Sequence, residues 1–289
     1  MKFALCVACR GLPLLGKQPS MTVQSDVKEF EMTRSINSIA LAAAALIATG
    51  SAQAGFTTFF GEDPNNSKTV PLTMLTNSGA AQTAFLASLS GVGIEDFEDQ
   101  ITGAVQPLAL SFPGFSGALT ATLSGGGGVV AAVTEPGKTN GFGRYSVPSA
   151  TSSKYWEVDA GGVDDFTVNF GQDIAAFGFY GIDIGDYGGQ LSLDLLDTSN
   201  NIIKSLTVNN SIGSNGSTDG SVLYFGVIAG SASEQFRSIR FNTTRGGGDI
   251  FAFDDFTIAE QRQVTIPEPA SLALVAAALL GLGLARRRA

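Results

Sequence analysis

The chain has 289 residues, with 26 Asp and Glu against 17 Lys and Arg, a formal net charge of −9, and no histidine. Without histidine there is no Ser-His-Asp or Cys-His arrangement, no imidazole zinc site and no imidazole proton shuttle. The acidic balance sets nucleic acid aside as a partner, and abundant Gly, Ser, Thr and Asn favour strands joined by turns over helices.

Residues 1–31 precede a second methionine, and from Met32 the sequence takes on an export pattern. One Arg is followed by an apolar stretch from Ile39 to Ala48 and then Ala52-Gln53-Ala54. These are the n-region, h-region and small-residue cleavage site of a secretory signal peptide over 32–54, cut between Ala54 and Gly55. Residues 1–31 read as a mis-assigned leader ahead of the true start at Met32, with a long n-region as the alternative. Both cysteines, Cys6 and Cys9, fall in that leader, so the exported chain carries none and folds without disulfides.

The expected mature stretch, 55–265, has 211 residues, with nine Lys and Arg against 22 Asp and Glu. That length suits one sizeable core. Residues 55–93 read as an irregular segment plus one helix: turn chemistry at Asp63-Pro64-Asn65-Asn66, then a helix capped by Ser78. Ala81, Ala84, Phe85 and Leu89 form its apolar stripe, and Gly91 and Gly93 end it.

Residues 94–262 read as a β-sandwich domain. Short period-two runs appear at Phe166-Val168-Phe170, Phe177-Phe179, Leu191-Leu193-Leu195, Leu206-Val208, Leu223-Phe225-Val227, Phe236 to Phe241 and Ile250 to Ile258. The Gly125–Gly128 run lacks the Lys-Ser/Thr and the helix of a phosphate loop and reads as a turn. At least seven strands with no βαβ alternation predict a mainly β fold, an antiparallel β-sandwich. A jelly roll is the preferred topology, with an immunoglobulin-like one as the alternative.

Three acidic clusters are candidates for chemistry. Glu95-Asp96-Phe97-Glu98-Asp99 opens the β region, Asp183-Ile184-Gly185-Asp186 lies in FGFYGIDIGDYGGQ, and Asp254-Asp255 lies in the last strand. Period two puts Phe97 on one face and Asp96 with Glu98 on the other; it sends Asp254 outward and Asp255 inward unless a bulge intervenes. If first and last strands pair, Glu98 meets Asp254 or Asp255, and a structural Ca2+ would relieve the repulsion. Asp183 and Asp186 are the weaker metal candidates, an Asx-turn role being the alternative. A glycosidase would need two carboxylates facing a cleft. Trp156 and Tyr155 could stack on sugar, but a lone Trp is more often core.

The last segment, 263–289, has its own organisation. Pro267-Glu268-Pro269 precedes an apolar helix over 271–285, and Arg286, Arg287 and Arg288 close the chain. From Leu272 to Ala285 the helix would reach about 21 Å, short of the ~30 Å hydrocarbon core. The basic cluster would hold its end at the cytoplasmic side, anchoring the chain transiently in the inner membrane.

That order of Pro-Glu-Pro, marginal apolar helix and terminal arginines resembles the PEP-CTERM sorting signal of bacterial surface proteins. The resemblance implies an exosortase-type sorting enzyme as partner and the cell surface or extracellular matrix as destination. Asp-Phe-Glu at 96–98 and Phe-Asp-Asp-Phe at 253–256 look like the two ends of jelly-roll adhesion and carbohydrate-binding modules, including the MAM type. In such modules the end acids help hold a structural cation. The chain departs from MAM domains in lacking their cysteines. FGFYGIDIGDYGGQ, with AAQTAFLASLSGVGIEDFE upstream, resembles secreted domains found with PEP-CTERM tails.

The expectation is a non-enzymatic surface or matrix protein associating with exopolysaccharide or biofilm matrix. A carboxylate-dependent polysaccharide hydrolase and a self-associating structural matrix component are the alternatives.

Overall fold

The computed structural model describes residues 55–159, 165–214, 217–244 and 249–265. The leader, the signal segment up to Ala54, the Pro267-Glu268-Pro269 motif, the expected anchor helix and Arg286 to Arg288 lie outside the described residues.

In chain order the elements are β1 (Thr57–Asp63), α1 (Asn77–Ala87), β2 (Leu108–Phe112), β3 (Leu119–Ser124), β4 (Val129–Ala132), β5 (Lys154–Asp159), β6 (Thr167–Ile174), β7 (Ala176–Ile182), β8 (Leu191–Leu196), β9 (Ile202–Thr207), β10 (Val222–Ile228), β11 (Phe236–Thr243) and β12 (Ile250–Ala259). They form two six-stranded sheets, ordered β1-β10-β7-β12-β5-β4 and β2-β3-β6-β11-β8-β9. Neighbouring strands are antiparallel throughout.

From β5 onward the chain alternates between the sheets, with only β8 and β9 consecutive in one. β12 inserts between β5 and β7, and β11 between β6 and β8. This is jelly-roll winding, which separates the fold from an immunoglobulin-like sandwich. β1 and β4 extend the first sheet, β2 and β3 the second. All seven expected runs correspond to strands, β6 to β12. Residues 55–77, read as irregular, also supply β1, which pairs with β10 over its whole length. Its polar composition fits an edge strand rather than a core one.

Alternate residues of both sheets meet in one aromatic core. Phe179 contacts Phe241 at 5.4 Å and Phe166 contacts Phe253 at 5.5 Å between ring centroids. Such pairs add about 0.5–1.5 kcal/mol each beyond the area they bury, a cohesion that needs no disulfide. Trp156 and Tyr155 are both fully buried, so neither offers a face to sugar.

The outer face of the first sheet is not left to water. A second apolar cluster there joins Phe85 of α1 with Tyr145, Val147, Tyr155, Tyr180 and Tyr224. Gly178 and Gly226 face each other across β7 and β10. A Cβ on either would lie within 2.7 Å of the Phe85 ring, so the pair forms a slot for it.

The helix departs from expectation at its cap. Thr76 is the N-cap and makes no side-chain bond. Asp63, at the end of β1, instead accepts from the Asn77 and Ser78 amides, both at 2.9 Å, and from the Ser78 hydroxyl at 2.6 Å. A carboxylate at this terminus satisfies orphan N–H groups and opposes the helix dipole favourably. Of the expected stripe, Ala81, Phe85 and Leu89 are buried and Ala84 is exposed. At the other end of α1, the Thr265 amide donates to the Ser88 carbonyl at 2.9 Å, so the chain leaves the described domain beside the end of the helix.

Candidate metal centre

Strand register places the centre. β7 ends at Ile182, which lies opposite Val222 at the start of β10 and Ala252 near the start of β12. Asp63, the end of β1, is opposite Val222 on the other side. The segments just beyond these positions therefore emerge together: 64–68, 183–186, 219–221 and 249. This end of the sheet lies opposite the one where β12 finishes, since Ala259 pairs with Ala176. Seven residues of strand separate the two ends by roughly 20 Å.

Carboxylate oxygens of Asp183, Asp186 and Asp219 lie within 4.8 Å of one another, the one such acidic group among the described residues. All three are buried, at 2%, 3% and 5% exposure, and Asp249 beside them is at 2%. Asp183 takes a left-handed backbone, φ 68°, and its Oδ1 accepts from the Gly220 amide at 2.9 Å. Its Oδ2 faces Arg144 Nη1 at 3.4 Å, while Arg144 Nε makes the shorter contact to Glu157, 2.8 Å. Gly143 presses on the same carboxylate, for a Cβ there would lie 2.2 Å from Asp183 Oδ1. Lys68 Nζ stands 3.9 Å from Asp219 Oδ2 and is half exposed.

Among the described residues, two cations, Arg144 and Lys68, thus serve five acids. Asp186 Oδ1, Asp219 Oδ1, Asp249 Oδ2 and the neighbouring Thr218 Oγ1 are buried without a hydrogen-bond partner. Burial pushes Asp183 up to about 7, the Gly220 amide opposing and Asp186 adding to it. Burial and the facing Asp186 carboxyl push Asp249 up to about 8, and burial raises Asp186 as well. Either protons or a cation must neutralise a group of this kind.

The leading sequence candidates are placed differently. Glu98 does not join Asp254 or Asp255 in a cation-sized cluster. Its carboxylate accepts from the Ser153 and Lys154 amides, both at 2.6 Å, and from the Ser153 hydroxyl at 3.0 Å. The two ends of the domain do meet, but through backbone: Glu95 and Phe256 exchange N–H···O bonds of 2.8 and 2.9 Å. Residues 95–99 turn instead of running as a strand. Phe97 sits at φ 58° with its ring in the core against Phe256 and Trp156, so period two does not apply there.

Asp254 points out of the inter-sheet core, as expected, yet is wholly buried beneath the covering layer. It accepts from the Ser146 hydroxyl at 2.7 Å and from the Val147 and Asp255 amides at 2.8 Å each. A bulge between Asp254 and Thr257 then returns Phe256, not Asp255, to the core. Asp255, at φ 50°, accepts from Gln82 Nε2 at 2.9 Å. Protein donors already fill this second set, which does not fit an open cation cage. Asp219 and Asp249 were missed because their partnership with Asp183 and Asp186 depends on pairing between distant strands. Their one local signal is their position just ahead of β10 and β12.

A protein-family comparison identifies a PEP-CTERM protein-sorting motif over residues 265–288. No curated protein matches the sequence. Among solved structures, the chain is similar to the K2 cleaved adhesin domain of Lys-gingipain, with 12% identity, 58% of this chain and 97% of that one covered, and a TM-score of 0.34. It is similar also to the K1 cleaved adhesin domain of Lys-gingipain from Porphyromonas gingivalis W83, with 11% identity, 59% and 98% coverage and a TM-score of 0.32. A xylan-binding domain from Paenibacillus barcinonensis matches at 12% identity, with 54% and 94% coverage and a TM-score of 0.28.

Proposed function

We propose that this chain, exported and sorted by an exosortase through its PEP-CTERM motif, serves at the cell surface or in the surrounding matrix as a non-enzymatic β-sandwich module that associates with exopolysaccharide. The observation that carries the reading is the polarity of the domain. The sorting motif begins where the chain leaves beside Ser88, at one end of the first sheet. The loops at the other end present Phe142 and Tyr187, 64% and 46% exposed, on segments that flank Asp183 and Asp186. Exposed rings on loops at the end of the sheet opposite Thr265 are suited to stacking on sugar faces.

The clustered carboxylates support a binding role over hydrolysis. A glycosidase presents its two acids to substrate in a cleft, whereas Asp183, Asp186, Asp219 and Asp249 are all buried. One observation favours self-association as a second reading: β9 is the edge strand of the second sheet and Ile202 on it is exposed.

Co-sedimentation of the full chain with exopolysaccharide from the producing cells separates these readings. The protein should pellet with the polysaccharide, leave its chain length unchanged, and bind at least fivefold more weakly after Phe142→Ala with Tyr187→Ala. Pelleting to the same extent without polysaccharide would mean self-association, and shortening of the polymer would mean hydrolysis.

A further inference from the structure

We propose that Asp183, Asp186 and Asp219 bind one calcium ion that pins the loop after β7 to the loop before β10, with Asp249 as the carboxyl behind them. The inference concerns how this end of the domain is held, and stands independently of what the surface binds.

The geometry comes first. Three carboxylate oxygens within 4.8 Å of one another suit coordination of a single ion, because calcium–oxygen distances near 2.4 Å allow oxygens on its shell to lie that far apart. The orphaned oxygens are the independent observation. Asp186 Oδ1 and Asp219 Oδ1, on residues more than nine-tenths buried, meet no N–H or hydroxyl donor among the described residues, only the neighbouring carboxyls, and Thr218 Oγ1 in the loop of Asp219 is likewise without a partner there. Most buried polar atoms are satisfied, so several unsatisfied oxygens in one place point to a ligand that takes electron pairs. The second acidic group in this protein, Asp254 with Asp255, is by contrast filled by Ser146, Val147 and Gln82.

The chemistry of the donors then selects the ion. The set is oxygen alone, without thiolate or imidazole, which favours a hard cation over zinc or copper. Its members come from two irregular loops, and calcium tolerates an irregular shell where magnesium demands a near-ideal octahedron and retains its waters. Among the described residues the cations do not close the charge: Arg144 lies nearer Glu157 than Asp183, and Lys68 is half in solvent. The rival is a set of trapped protons on the carboxyls.

Terbium, which replaces calcium on oxygen ligands and emits when a nearby tyrosine is excited, reads the site directly. The full chain in detergent, stripped with chelator at pH 7.5, should bind one sensitised terbium that calcium displaces at least tenfold more effectively than magnesium. Asp186→Asn and Asp219→Asn should each weaken calcium binding at least tenfold by calorimetry while melting in chelator no lower than the wild type, since repulsion falls. Glu98→Gln should bind as the wild type. No calcium heat and no sensitised emission in the wild type would leave protons as the neutralising charge and overturn the proposal. Unchanged binding in both Asn variants, or loss of binding in Glu98→Gln, would overturn the location; equal displacement by magnesium would overturn the ion. The wild-type titration decides the existence of a site even if a variant fails to fold.

Discussion

The ring of Phe85 on α1 lies so close to Gly226 of β10 that a Cβ on the glycine would stand 2.6 Å from the ring's Cδ2. Nothing but hydrogen fits between them. The contact fixes helix to sheet and, through Asp63 at the helix start, ties β1 to the same layer.

Gly226→Ala should therefore destabilise the domain by about 1–3 kcal/mol through overpacking. Phe85→Leu should cost a comparable amount through lost packing. Combined, the two should cost at least ~0.5 kcal/mol less than their sum, because the smaller side chain makes room for the methyl. Denaturant titration of all three variants measures the coupling, and strictly additive costs would mean that the ring and the glycine do not share the slot.

Asp255 yields a pH-dependent expectation. Burial pushes its carboxyl up to about 6, Gln82 opposing and Asp96 adding, while burial and then Asp255 itself raise Asp254. A raised carboxyl contributes its stability in full below its unfolded value near 4 and loses it as pH climbs through 6. Asn keeps an acceptor for Gln82, tolerates the positive φ and carries no charge. Asp255→Asn should accordingly raise the melting temperature by a few degrees at pH 7, roughly 2 kcal/mol, and by much less at pH 4.5. The same increment at both pH values would show that charge is not the cause.

The strands legible in the sequence were those with aromatic or aliphatic alternation. Phe177 with Phe179 and Leu223 with Phe225 marked β7 and β10 because each buries alternate side chains in the inter-sheet core. β1 was hidden because an edge strand with one half-covered face carries Thr-Thr-Phe-Phe-Gly-Glu-Asp and no clean period. The acids divided the same way. Asp183 and Asp186 were visible as a local pair, but Asp219 and Asp249 reach them only after β7 has found β10 and β12. The expected meeting of Glu98 with Asp254 or Asp255 failed for a local reason: the turn at Phe97 aims Glu98 at Ser153 and Lys154. Helix capping was likewise nonlocal, with Asp63 arriving from a strand fourteen residues earlier.

Maturation at the start of the chain is expected between Ala54 and Gly55. Mass spectrometry of the exported protein should find Gly55 at its N-terminus. Peptides from residues 1–31 in that product would rule out Met32 as the functional start.

Fractionation of producing cells tests the central claim most directly. The wild-type chain should be found at the surface or in the matrix, while replacing Pro267-Glu268-Pro269 with three alanines should leave it in the inner-membrane fraction, held by the apolar run from Leu272 to Ala285. An unchanged distribution of the substituted protein in an exosortase-competent host would contradict the account.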